Sequence, residues 1–135
     1  MAREKKIVDA SVLAKCFLKE DDSGKAIALV EGHLSGQYVL IVPELIFFEV
    51  LNAIKYQLKP TEEELVEAAK ALSEFQLHVE HAGEFILSKL SRIAITCNLT
   101  AYDATYVALG QLHSAEVLTA DKKLVKTGLP FVKQF

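Results

Sequence analysis

No stretch of this 135-residue sequence stays apolar for anything near the roughly 20 residues that a membrane-spanning helix needs. Its start, Met1 to Lys6, is charged and leads straight into a strand-like segment. It lacks both an apolar stretch and a small-residue cleavage site, so no signal peptide is expected and the chain is read as cytoplasmic. Cysteine is scarce: Cys16 and Cys97 are the only two, each among apolar neighbours. That is too few for a disulfide scaffold, and both are read as reduced thiols. Positive charge is not in excess either. Fifteen basic against eighteen acidic residues give a net charge of −3, which argues against a nucleic-acid binder that relies on bulk positive charge. A protein that grips phosphate through divalent cations stays open. Repeats, linkers and low-complexity tracts are absent.

What is present is ordinary for a folded domain. Hydrophobic residues make up 51% and charged residues 24%, enough to close one core, so residues 1–135 are read as a single domain. Lys5 to Val8 is an apolar-ended strand, followed by helical spacing from Ser11 to Leu18. A second helix is expected from Asp22 and Ser23 to about His33, with Gly32 and Gly36 as stop signals. Tyr38 to Val42 is a β-branched strand bounded by glycine and proline. Pro43 fits the first turn of a helix running to about Leu58. Thr61 with Glu64 forms a capping box for the next helix, to about Phe75. Leu77 to Val79 is a short strand, Gly83 to Asn98 and Ala101 to Leu112 are helices, and Glu116 to Ala120 is a strand. Lys122 to Lys126 is a short helix and Pro130 to Val132 a last strand. Short apolar strands alternating with helices predict a three-layer α/β/α domain around a parallel sheet.

Four acidic residues stand out. Asp9 follows Ile7-Val8 at a strand end, where open α/β sheets bind their ligands; it or Ser11 could equally cap the helix that follows. Asp121 repeats that placement after Leu118-Thr119-Ala120. Asp103 falls in the first turn of a helix opened by Thr100, where a carboxylate favours the helix dipole. Glu49 fits no such local role. It sits in mid-helix within Ile46-Phe47-Phe48-Glu49-Val50-Leu51, on a helix apolar around most of its circumference and therefore expected to be largely buried. A carboxylate there needs a partner charge, hydrogen-bond donors or a metal. Asn52 and Tyr56 continue its polar stripe. In a parallel sheet all strand-to-helix ends collect on one edge, so these four acids are expected to converge. Clustered carboxylates repel unless hard cations lie between them, and Mg²⁺ or Mn²⁺ suits such oxygen donors.

Four segments, Ile7-Val8-Asp9-Ala10-Ser11, Pro43-Glu44-Leu45 with Glu49-Val50-Leu51-Asn52, Thr100-Ala101-Tyr102-Asp103-Ala104 and Leu118-Thr119-Ala120-Asp121, resemble in order and spacing the signatures of the PIN-domain family. At this length the chain most resembles its stand-alone prokaryotic members, the VapC-type toxins of toxin–antitoxin pairs. The resemblance implies a strand order of 3-2-1-4-5, with Asp9 and Asp121 flanking the switch point. It implies a metal-dependent endoribonuclease that hydrolyses RNA with Mg²⁺ or Mn²⁺. Asp9, Glu49, Asp103 and Asp121 would be catalytic and metal-binding, and Ser11, Asn52 and Thr119 would support them. It also implies a homodimer and a small antitoxin partner that places an Arg or Lys against the acids. Val12, Leu13, Phe17, Leu18, Ile27, Leu29, Val30 and Leu34 could form its groove or fill the core. No further acidic residue follows Asp121, where some relatives carry one; Lys122 and Lys123 stand there instead. Lys15, Lys19, Lys122 and Lys123 are candidates for phosphate guidance.

Other chemistries fit less well. A haloacid-dehalogenase phosphatase needs an aspartate where Ser11 stands, and a receiver domain needs an adjacent acidic pair at the first strand. Serine-hydrolase chemistry lacks its Gly-x-Ser-x-Gly elbow. His78 and His81 have no cysteine nearby and are read as surface residues, and Tyr102 and Tyr106 as packing. The alternative from another class is a catalytically silent PIN-fold scaffold, against which the intact acidic set argues.

Overall fold

All five strands run in one direction. The computed structural model describes residues 3–135, and β1 (Glu4–Val8), β2 (Tyr38–Pro43), β3 (His78–Glu80), β4 (Glu116–Thr119) and β5 (Val132–Gln134) form one parallel sheet. Their order is β3-β2-β1-β4-β5, as the resemblance implied. In β1 Ile7 pairs with Ile41 of β2 on one side and Val117 of β4 on the other. The central strands are covered on both faces, so Ile7, Val8, Leu40, Ile41, Val42 and Val117 are all buried. This is why these strands read as unbroken apolar runs instead of an alternation.

Seven helices connect them: α1 (Ala10–Leu13), α2 (Ser23–Leu34), α3 (Leu45–Leu58), α4 (Glu62–Glu74), α5 (Glu84–Thr96), α6 (Ala101–His113) and α7 (Lys122–Val125). The chain steps outward from β1 through β2 to β3, then crosses back to β4 and β5. Right-handed crossovers therefore put α1 to α4 on one face and α5 to α7 on the other. Contacts agree, with α1 and α4 both against α3, and α5 lying along α6. Helix α6 is the most enclosed, every residue from Ala104 to Gly110 being buried. A Cβ at Gly110 would fall 2.5 Å from Val117 Cγ2, so glycine is what lets α6 approach β4. The reversal of direction between β1 and β4 leaves a crevice at their C-terminal ends.

Several local expectations give way. The helix after Asp9 stops at Leu13 and tightens into a 3₁₀ turn, Ala14–Cys16, instead of reaching Leu18. There the Ser23 hydroxyl takes the Leu18 carbonyl as acceptor at 2.5 Å and accepts the Glu20 N–H at 3.0 Å, holding the chain in a turn. Pro43 closes β2, paired with Glu80 in register, and does not open α3; at a strand end its missing N–H costs little. The last strand lies two residues later than Pro130 to Val132, at Val132–Gln134. Helix α3 is not largely buried. Ile46, Val50 and Ile54 face the core, while Phe48 and Tyr56 are exposed. The Thr61–Glu64 capping box forms as read, both reciprocal bonds being present. Both cysteines are free, and burial pushes the Cys16 thiol up to about 11. Among the described residues no helix is long and apolar enough to cross a membrane.

Candidate active site

Asp9 leaves β1 as the N-cap of α1, and little of it reaches solvent. Its Oδ1 accepts the Ser11 hydroxyl at 2.5 Å and the Val12 N–H at 3.2 Å, and its Oδ2 accepts the Thr119 hydroxyl at 2.5 Å. The same two hydroxyls reach into the segment after β4: Ser11 Oγ accepts the Ala120 N–H and Thr119 Oγ1 the Asp121 N–H, each at 2.9 Å. Ser11 and Thr119 thus hold the ends of β1 and β4 together around one carboxylate. The Asp9 N–H adds a bond of 3.2 Å to the Leu118 carbonyl.

Asp121 caps α7, its Oδ1 accepting the Lys123 N–H at 2.9 Å. Asp103 stands in the first turn of α6, whose cap is Thr100, the hydroxyl accepting the Asp103 N–H at 3.1 Å. The capping reading and the convergence reading hold at once for Asp9 and Asp121, because each caps a helix that starts at the C-terminal end of a strand. Glu49 is half-buried on α3, and its Oε1 accepts the hydroxyl of Tyr106 on α6 at 2.5 Å. Tyr106, read from sequence as packing, does both: its ring is buried and its hydroxyl positions Glu49. The signal was its place one helical turn after Asp103.

All four acids line one cleft of about 430 Å³, together with Lys15, Glu20 and Tyr106. Burial raises the proton affinity of Asp9, Glu49 and Asp103 above that of ordinary carboxyls. Their hydrogen bonds pull the other way; then the negative charge of Asp121 pushes Asp9 and Asp103 further up, and that of Asp103 and Asp9 does so for Glu49. Tyr106 is pushed far above the usual phenol range by the same burial and by Glu49. Lys15 does not neutralise the cleft, since its ammonium is held by Glu20 at 2.6 Å and Asp22 at 3.1 Å. Because α1 ends early, Lys19 does not share a helical face with it and is exposed, as are Lys122 and Lys123. The Lys123 charge partly offsets the repulsion on Asp103. Asn52 is also exposed, in an adjoining cleft of about 370 Å³ that shares Glu49. His81 is exposed and 3.7 Å from Glu44.

Among the described residues no three Asp, Glu, His or Cys side chains are close enough to cage a metal ion. A cage is not what Mg²⁺ requires. It keeps several waters and is held by one or two carboxylates together with substrate phosphates. The donor set fits that mode: hard oxygen ligands only, mutually repelling, in a cleft whose one lysine is paired with Glu20 and Asp22 and not with these four acids.

A family model for the PIN domain matches residues 6–129. The chain belongs to the PIN-domain family. Ribonuclease VapC3 from Pyrobaculum aerophilum is 31% identical to it over 132 residues, covering 90% of this chain and 93% of that protein. Solved PIN-fold relatives are more distant in sequence. A Pyrobaculum aerophilum crystal structure superposes with a TM-score of 0.72 at 20% identity, over 99% of this chain and 92% of the other. A toxin–antitoxin complex from Klebsiella pneumoniae gives a TM-score of 0.71 at 19% identity, over 95% of each chain. At those identities the likeness speaks for the fold alone.

Proposed function

We propose that this PIN domain is a metal-dependent endoribonuclease, with Mg²⁺ or Mn²⁺ at Asp9, Glu49, Asp103 and Asp121, and that it serves as the toxin of a toxin–antitoxin pair. One observation carries the reading. Carboxylates from four separate segments line a single cleft at the β1/β4 switch point, and the one lysine that lines it is paired with Glu20 and Asp22. The similarity to Ribonuclease VapC3 supports RNA as the substrate.

The side chains divide the work. Asp9, fixed by three hydrogen bonds, is the rigid ligand. Asp121, whose charge raises the proton affinity of Asp9 and Asp103 through space, completes with Asp103 the negative field that would hold the ion. When bound, a divalent cation supplies Lewis-acid stabilisation of charge on the phosphodiester. Glu49, half-buried and held by the Tyr106 hydroxyl, would join that set or orient the water that is to attack phosphorus. Lys123, close enough to act on Asp103, meets the neighbouring backbone phosphate.

The toxin assignment implies an antitoxin. Most of the apolar residues between Val12 and Leu34 fill the core; Ile27 and Leu34 are the exposed ones. An apolar groove of about 550 Å³ lies instead between α3 and α4, bordered by Phe17, Leu58 and the acidic Glu63, Glu64 and Glu67. An amphipathic segment with basic residues suits it and the acid cleft alike.

The test is cleavage of single-stranded and structured RNA in Mn²⁺, with EDTA as control. Wild-type protein should cut, and folded Asp9→Asn and Glu49→Gln variants should not. Cleavage surviving in both variants would place the activity outside this cleft.

A further inference from the structure

Two exposed aromatic rings line the cleft that adjoins the acid cleft, and each belongs to the residue just before one of the acids: Phe48 before Glu49, and Tyr102 before Asp103. Phe48 is 64% exposed and Tyr102 63%. Single exposed apolar side chains are ordinary on a protein surface, as Tyr56 and Ile95 are here; what sets these two rings apart is that they line one cleft together. They line the adjoining cleft between α3 and the first turn of α6 together with Leu45 and Asn52. That cleft holds about 370 Å³ and shares Glu49 with the acid cleft. Ring faces, an amide with both donor and acceptor, and direct continuity with a site for phosphate chemistry are found together.

We infer that this cleft is a nucleobase subsite, in which Phe48 and Tyr102 stack on an unpaired base beside the scissile phosphate while Asn52 hydrogen-bonds its edge. Single-stranded RNA is recognised in this way, by splayed bases on aromatic faces and by hydrogen bonds to their edges. Stacking is tolerant of base identity, since every base has a π-face; Asn52, with its NH₂ and carbonyl, supplies whatever discrimination the subsite has. The continuity of the two clefts through Glu49 favours a base as the occupant, since a base arrives tethered to the phosphate that the acid cleft is to receive.

The inference rests on the ribonuclease reading, and the experiment separates the two. Wild-type protein and a Phe48→Leu/Tyr102→Leu double variant, which keeps apolar surface without ring faces, are given single-stranded oligoribonucleotides in Mn²⁺. One substrate is intact; the others lack the base at one position flanking the cut. Wild type should cut one of the abasic substrates roughly ten-fold more slowly than the intact one, within what stacking of one base supplies. The double variant should cut both at the same rate, and Asn52→Ala should change which base is preferred at that position. Wild type that cuts RNA but ignores every abasic position overturns the subsite and leaves the ribonuclease standing. A double variant that changes oligomeric state and loses activity equally on all substrates assigns the face to a second copy, again overturning it. No cleavage of any RNA by wild type overturns both readings.

Discussion

The Thr119 hydroxyl donates to Asp9 Oδ2 at 2.5 Å and accepts the Asp121 N–H at 2.9 Å, so one side chain at the end of β4 fixes both strand-end aspartates. Thr119 is wholly buried, and neither bond has water to replace it. Thr119→Val, nearly the same shape, should destabilise the domain by about 1–3 kcal/mol, the cost of leaving buried polar groups unpaired. Thr119→Ser should retain most of that. Urea denaturation of the three proteins checks this; an unchanged midpoint in the valine variant would mean that Asp9 is held by Ser11 and Val12 alone.

Tyr106→Phe keeps the buried ring and removes only the hydroxyl that positions Glu49. The variant should melt within a few degrees of wild type. Its activity should fall roughly 10- to 100-fold, as when a partner orienting a metal-site ligand is lost. The pH–rate profile should shift as well, because the Tyr106 bond is what lowers the proton affinity of Glu49 against its burial. A fall in rate with no change in profile would make Tyr106 a packing residue.

The sheet and its site were legible to different depths. The parallel sheet, the four carboxylates and the Thr61 cap are read from apolar runs and local motifs, which act within a few residues, whereas the strand order was implied only by the resemblance to the PIN family. The environment of α3 was misjudged, since its apolar circumference does not tell which ridge meets the core; Ile46, Val50 and Ile54 do, and Phe48 does not. The early end of α1 depends on Lys15 meeting Glu20 and Asp22, and on Ser23 meeting Leu18, partners that helical periodicity cannot see. Tyr106 was hidden for the same reason, its partner Glu49 being 57 positions away.

Without metal, the stability of the domain should fall as pH rises. Asp9, Glu49 and Asp103 bind protons more tightly folded than unfolded, so between the unfolded carboxyl value of about 4 and the raised folded values the native state holds more protons. Their contribution is therefore fully present below about pH 4 and is lost as pH rises through the folded values. Denaturation in EDTA across pH 4 to 7 should show this decline. Asp103→Asn, which removes one repelling charge, should flatten it, and an unchanged slope would mean that the acids do not interact.

The most direct measurement is Mn²⁺ titration of the RNA-free protein, followed by the rise in melting temperature and repeated in the Asp9→Asn, Glu49→Gln, Asp103→Asn and Asp121→Asn variants. A ligand that binds only the folded state raises its stability with concentration. If the four carboxylates hold a common cation, wild type should gain stability with Mn²⁺, and each variant should need at least about ten-fold more for the same gain. A gain that persists unchanged in all four variants would put the metal elsewhere and contradict the shared site.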